Sequence, residues 1–494
     1  MDTYTSRHRY GVSALLRLLA LSSLLVGTLC EELASTHHTI EVSSLIPSVS
    51  CKTSSSKGSG KASSLKVAHK HGPCAAEGRL AAGGVQQPAH DEILREDQSR
   101  VEIINSRLVQ RTASLVGPNR VRQSVADLPA KSGKTVGSGN YVVTVGLGTP
   151  KEDLTLIFDT GSDITWTQCK PCVRYCYQQR DPIFDPSAST SYLNISCTSA
   201  SCSRLATATG NIPGCSSSTC VYGIQYGDRS FSVGFFGKEK LTITPTDTFD
   251  SFMFGCGQNN QGLFGSSAGL LGLGRDTLSI VEQTAAKYGR YFSYCLPSST
   301  ASTGYLTFGR PSTYNGHFGR TSVFPVSLKF TPLSTLSQSG TFYGITIQAV
   351  YVGGKKLSIP SSTFSNAPSI IDSGTVITRL PPTVYTALRD AFKQEMTKYP
   401  TAPALSILDT CYDFSNYTTV DIPKVGFSFA GDVYIDLHSV GIMYTASTSQ
   451  VCLAFAANGV DADVLIYGNV QQLKFEIVYD VGAMKLGFAP DGCA

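Results

Sequence analysis

Histidine is scarce in this sequence: 8 in 494 residues, with only His317 and His438 beyond residue 136. Neither stands at metal-ligand spacing or beside a nucleophile motif, so a zinc hydrolase or a Ser-His-Asp site lacks its residues. The "HKH" at 69–71 lies in the front segment and reads as a solvated surface rather than a metal site. No phosphate-binding glycine loop ending in Lys-Ser/Thr occurs, and "GLGTP" (146–150) reads as a turn after a strand. Charge is sparse at 15%, against 41% hydrophobic residues and 46 Gly, which excludes a disordered chain and points to a β-rich globular protein. No apolar run of membrane length follows the N-terminus, so no membrane anchor is expected. From Val136 onward there are 23 Lys+Arg and 25 Asp+Glu, a net of −2, while residues 31–135 carry a net of +4. A body without basic excess argues against nucleic acid as the main partner.

The N-terminus has the form of a secretory signal: Arg7, His8 and Arg9, then the short apolar run "LLALSSLLVGTLC" before "EELAS". An organelle transit peptide is the alternative, because the segment is Ser-rich and poor in acids. Cysteine usage agrees with export, since 12 of the 15 Cys lie after residue 136, an even number suited to six disulfides. Between signal and body, "KTSSSKGSGKASS" is of low complexity, and residues 91–110 place Ile93, Leu94, Val101, Ile104 and Leu108 on one helical face. A basic, partly helical segment there has the character of a propeptide; the plainer reading is an N-terminal arm. The body alternates short strands such as "YVVTVGLG", "LTLIF", "GFFGKEKLTI" and "FEIVYD" with Gly, Pro, Ser and Asn punctuation. Helical patterns are few, chiefly "SIVEQTAAKY" and "PTVYTALRDAFKQEMTKY".

An internal repeat sets the architecture. "IFDTGSDIT" (157–165) matches "IIDSGTVIT" (370–378), an offset of 213 residues, too long for a solenoid period. Two lobes, each with one copy, follow, with a boundary near residues 325–335. One Asp-Thr/Ser-Gly triplet is usually a turn; two with matching apolar lead-ins and tails predict a site. Each strand ends where its Asp is displayed, Gly permits the sharp turn, and the hydroxyls can hydrogen-bond the carboxylates. Two carboxylates held face to face share a proton, so one can act as base on water while the other donates to a carbonyl.

With these motifs the body, from about residue 140 to the end, resembles the pepsin-like aspartic peptidases, whose carboxylate pair is the known example of such a shared proton. Further residues carry the likeness. Trp166, the single Trp, sits where that family has a Trp that supports the flap, and "YGIQYGDRSFSVGFF" resembles the flap hairpin, with Tyr226 as the flap tyrosine beside Gly227. "AGLLGLGR" and "VLIYGNVQQLKFEIVYD" resemble the segments that buttress each active-site loop. "WTQCKPCVRYCYQQRDPIFDPSASTSY" and the cysteine-rich insert after it resemble the plant nepenthesin-like branch. "LKVAHKHGPC" is shared with a plant group of apoplastic proteases and a chloroplast nucleoid DNA-binding protease.

The resemblance implies a mainly β, bilobal fold with the site between the lobes: a signal peptide over 1–30, a propeptide over 31–135, an N-terminal lobe over 136–328 and a C-terminal lobe over 329–494. It implies Asp159 and Asp372 as catalytic residues, supported by Thr160, Gly161, Ser162, Ser373, Gly374, Thr375 and Trp166, with Tyr226 and Gly227 on the flap. It further implies the disulfides Cys169–Cys172, Cys176–Cys256, Cys197–Cys220, Cys202–Cys215, Cys295–Cys493 and Cys411–Cys452. The symmetric C-x4-C-x12-C-x4-C spacing of the insert suits nested pairs but does not fix connectivity. A zinc or redox reading of "CKPC" is disfavoured in an exported, His-poor chain. Asn194 and Asn416 head glycosylation sequons, with unmodified surface Asn as the alternative. No cofactor or metal is expected. The expected partners are polypeptide substrates and the chain's own propeptide, and the expected state is a monomer secreted to the apoplast, with vacuole or chloroplast as alternatives. The competing functions are a non-catalytic binder like the plant xylanase-inhibitor proteins of this fold, and a plastid DNA-associated protease.

Overall fold

Apolar residues crowd both faces of the strands that lead to the first repeat, and this burial fixes where they lie. The computed structural model describes residues 35–46, 50–51, 63–76, 89–113, 141–226, 230–262, 264–299, 301–310, 327–334, 340–490 and 492–493. The expected signal peptide and Gly227 fall outside the described residues.

The first strands are β1 (His37–Glu41), β2 (Ser64–His69), β3 (Tyr141–Leu147), β4 (Glu152–Asp159) and β5 (Trp166–Gln168). β3 is buried at every residue but Thr144, and β4 is buried throughout its last four residues. Strands covered on both faces lie inside a sheet. Their sheet runs from Lys329–Pro332 through Lys485–Pro490, Phe475–Asp480, Tyr291–Cys295 and Thr303–Phe308 to β2, β3 and β4. Strands from both ends of the chain thus share one sheet. A five-stranded sheet holds the second repeat, and two four-stranded sheets complete the C-terminal half. The architecture is mainly β and bilobal, as the repeat predicts.

Each repeat strand is backed by a parallel strand from one of the apolar-apolar-Gly segments. Gly269–Gly272 runs beside β4 with Gly272 opposite Asp159, and Leu465–Tyr467 runs beside Ser369–Ile371 with Tyr467 opposite Ile371. The reading of residues 91–110 as helical corresponds to α1 (His90–Ala113), with Asp91 and Glu92 in the first turn, where the helix dipole favours them. "SIVEQTAAKY" instead forms two short helices, Ile280–Gln283 and Ala285–Tyr288, broken at Thr284. One helix in the cysteine-rich insert, Ala200–Thr209, has no apolar repeat long enough to announce it. It is set by the Ser199 cap, which accepts from Cys202 N–H, and by Gly210 at φ 75°.

Four expected disulfides are replaced. Cys169 pairs with Cys256 and Cys172 with Cys176, not Cys169–Cys172 and Cys176–Cys256. The cause is register: β5 lies parallel to Asp247–Gln261 with Thr167 opposite Cys256, which brings the Cα of Cys169 to 5.3 Å from that of Cys256. In the insert, Cys197–Cys215 and Cys202–Cys220 replace Cys197–Cys220 and Cys202–Cys215. Cys202 is buried in the first turn of its helix against buried Cys220, leaving Cys197 to meet Cys215 on the exposed edge strand Gly214–Ser216. Cys295–Cys493 and Cys411–Cys452 pair as expected, and Cys51–Cys74 adds a bridge in the front segment.

The "HKH" stretch is also corrected. β2 is inserted between Thr303–Phe308 and β3, so Lys70 is buried. Burial, aided by the Lys70 charge, lowers His69 to about 3 and His71 to about 2. Among the described residues no three His, Cys, Asp or Glu are placed to hold a metal, and no helix is long and apolar enough to cross a membrane.

Candidate active site

Asp159 ends β4 and Asp372 follows Ser369–Ile371, and each carboxylate is at most 1% exposed. Placing two acids in such a setting needs a dense set of donors. Gly161 N–H donates to Asp159 Oδ1 at 2.9 Å and Gly374 N–H to Asp372 Oδ1 at 3.1 Å. Thr375 Oγ1 adds a bond to Asp372 Oδ2 at 2.6 Å. Ser162, its counterpart in the first copy, favours the charged form of Asp159, but its Oγ lies outside hydrogen-bonding geometry.

The loops are tied across the pseudo-twofold. Thr160 N–H donates to Ser373 Oγ at 3.1 Å, and Ser373 N–H to Thr160 Oγ1 at 2.9 Å. The approach is close enough to require glycine at both turns. A Cβ on Gly161 would lie 2.7 Å from Asp372 Oδ1, and one on Gly374 would lie 2.5 Å from Asp159 Oδ1. Below the loops, Leu273 N–H donates to Asp159 O, and Asn469 Nδ2 and Gln472 Nε2 donate to the carbonyls of Ser373 and Asp372. The two segments singled out as buttresses therefore do hold the loops.

Trp166 is fully buried, and its Nε1 donates to Tyr226 Oη at 2.7 Å. Phe264, which carries no motif, meets both rings edge-on, at centroid distances of 4.8 and 5.7 Å. Asn194 and Asn416 are both exposed, on Leu193–Asn194 and in a turn.

Three charged residues in the site carry no motif. Arg100 of α1 enters between the two aspartates. Its Nη2 lies 2.8 Å from Asp159 Oδ1 and 2.9 Å from Asp372 Oδ2, Nη1 donates to Asp159 Oδ2 at 3.2 Å, and Nε donates to Asp372 Oδ2 at 3.0 Å. Burial pushes both carboxyls up. At Asp159 the guanidinium overcomes this and leaves the group below its ordinary value, whereas Asp372 stays raised, its neighbour's negative charge opposing ionisation. The two carboxylates together hold Arg100 well above its ordinary value despite its burial. One turn earlier, Asp97 accepts from Val376 N–H (2.6 Å) and Ile377 N–H (3.1 Å) and pairs with Arg379 Nη2 at 2.9 Å. Asp97 and Arg379 are both fully buried.

A signal for them exists. Asp97 and Arg100 interrupt the apolar stripe of Ile93, Leu94, Val101, Ile104 and Leu108, and Arg379 stands at the 213-residue offset from Trp166. Nearby, burial raises Asp163 to about 7 although Asp276 N–H donates to it.

Comparisons with known proteins give the family and the fold. Residues 141–310 match the family model described as xylanase inhibitor N-terminal, and residues 342–490 match xylanase inhibitor C-terminal. The chain is 56% identical to an aspartyl protease family protein of Arabidopsis thaliana over 94% of each chain, and 49% identical to the Arabidopsis aspartyl protease AED1 over 92% of each. It is 34% identical to aspartic proteinase nepenthesin-2 of Nepenthes gracilis over 76% of this chain and 84% of the relative. The solved structure of edgp superposes with a TM-score of 0.58 at 20% identity, covering 71% of this chain and 91% of that one. Conglutin gamma from lupine seeds gives 0.57 at 22%, covering 70% and 90%. At these identities the solved structures share the fold.

Proposed function

The chain belongs to the pepsin-like aspartic protease family of plants, and from that premise we propose that it is an endopeptidase made as a secreted zymogen. The observation that carries the reading is the pair of reciprocal hydrogen bonds between Thr160 and Ser373, which brings two buried carboxylates onto one guanidinium. With Arg100 withdrawn, Asp159 and Asp372 lose their shared counter-charge, and two acids so placed retain one proton between them. The charged member takes a proton from water as its oxygen attacks the peptide carbonyl carbon. The protonated member gives its proton to the carbonyl oxygen, and collapse of the resulting diol breaks the C–N bond as the amine is protonated. The Tyr226 hydroxyl, fixed by Trp166, covers the bound polypeptide. Residues 31–135 act as propeptide, and α1 is its inhibitory element.

The working form is a monomer released to the apoplast, with vacuole or chloroplast as the other destinations. Cleavage of a denatured protein by the processed chain tests the reading: Asp159→Asn and Asp372→Asn should each abolish it. Unchanged cleavage in either variant refutes the mechanism. No cleavage by the processed wild type would favour the non-catalytic binder named by the family models' description.

A further inference from the structure

The two repeats both end in Ile-Thr, but the residue that follows differs in kind: Trp166 after the first and Arg379 after the second. Both side chains are fully buried, yet only one of them is suited to it. An isolated guanidinium in such a place is expensive, and burial pushes Arg379 below its ordinary value even with Asp97 beside it. The rest of the body supplies it with little: Nη1 donates to Ile377 O at 3.0 Å, and the ion pair with Asp97 comes from α1. The same Asp97 carboxylate also takes the N–H groups of Val376 and Ile377. One carboxylate therefore neutralises a cation, whose Nε and Nη2 have no hydrogen bond of good geometry, and accepts from two adjacent backbone donors, all provided by the strand and turn that follow Asp372.

We propose that Arg379 and the Val376 and Ile377 N–H groups form a carboxylate-binding subsite, filled by Asp97 in the precursor and by an Asp or Glu side chain of the polypeptide substrate in the processed protein. The proposal rests on the endopeptidase reading above and adds a substrate class to it. Spacing locates the acidic residue. Asp97 and Arg100 are three residues apart on a helix, an axial rise of about 4.5 Å. An extended polypeptide advances about 3.3 Å per residue, so the preferred acid lies one or two residues from the cleaved bond. When α1 leaves, Arg379 and the two donors open toward the cleft together. Water can solvate them, but a substrate carboxylate restores every bond that Asp97 made. A cation beside two N–H donors suits a charged carboxylate better than it suits a neutral amide.

The test uses the processed protein and a set of peptides identical except at one position, which carries Glu, Gln or Lys and is moved through the two residues on each side of the cleaved bond. The assay is run at about pH 5, where a free Glu side chain is ionised. At one position Glu should raise kcat/KM about 10-fold over Gln, as expected for one charge-assisted hydrogen-bonded pair, and Lys should be the poorest of the three. In Arg379→Gln the Glu/Gln ratio at that position should fall to about one, and Arg379→Lys should restore part of it. The ratio within each variant is what is read, so a change in overall activity does not disturb it. If Arg379→Gln does not fold, the order Glu, Gln, Lys in the wild type decides alone. Cleavage of the Gln peptides with no preference for Glu at any position overturns the subsite and leaves the endopeptidase reading standing. Failure of the wild type to cleave any peptide overturns both.

Discussion

Replacing Arg100 by Ala in the precursor should release the dyad while leaving the rest of α1 seated. The side chain is buried and reaches both carboxylates through Nη2, with Nε and Nη1 adding one bond each. Removing one partner of a buried ionic cluster costs about 3–5 kcal/mol, because the remaining charges are left uncompensated. The carboxylates can recover part of this by sharing a proton, so the lower end is the better expectation. At about 1.4 kcal/mol per tenfold, the docking equilibrium of α1 shifts toward release by two powers of ten or slightly more. The apolar contacts of Val101, Ile104 and Leu108 with Phe342, Ile370, Val464 and Ile466 are untouched, so the segment is loosened rather than lost. The assay is the initial rate of peptide hydrolysis by precursor confirmed uncut on a gel, compared with the same protein after processing. Wild-type precursor should be nearly silent, and Arg100→Ala precursor should turn over at a readily measured fraction of the processed rate. Arg100→Lys should fall between them, since one ammonium cannot reproduce a fork aimed at two acids. If uncut Arg100→Ala precursor is as silent as wild type while both processed forms are active, inhibition resides in the apolar seat of the helix and the electrostatic lock is wrong.

Acid should loosen the front segment. His69 and His71 are held at about 3 and about 2 by burial, while the released segment titrates near 6.5. Docking of β2 is therefore fully favoured above pH 6.5. It loses of order 1 kcal/mol per pH unit for each His as pH falls toward the docked values. Hydrogen exchange of residues 64–69 in the precursor should speed up between about pH 6.5 and 4.5 beyond the intrinsic pH dependence, and a His69→Gln, His71→Gln variant should show a flatter profile; equal profiles would refute the linkage. Trp166→Phe deletes the donor to Tyr226 and should cost about 1 kcal/mol, seen as a several-fold fall in kcat/KM with little change in thermal midpoint. An unaltered kcat/KM would mean that the tyrosine is placed by Phe264 and its hairpin alone.

The written sequence was enough to place both aspartates at strand ends and to anticipate a second lobe, because the repeat is local. Apolar lead-in, acid, hydroxyl and glycine are neighbours in each copy, and a short apolar run marks a buried strand within a few residues. It was also enough for the helix over residues 91–110 and for the partnership of Trp166 with Tyr226, the latter through family likeness. The disulfides show where local reading stops. Cys169 finds Cys256 because β5 lies beside Asp247–Gln261 in one register, and a slip in that register would choose another partner. Arg100 was visible only as a charge within an apolar stripe, and nothing near it in sequence says what it meets. Its contacts are 59 and 272 residues away, and a guanidinium acquires its role only when two sheets and a helix bring both carboxylates within 3 Å of it. The same holds for Asp97 and Arg379: composition supplies the charges, but burial, which makes their pairing obligatory, exists only in the assembled fold.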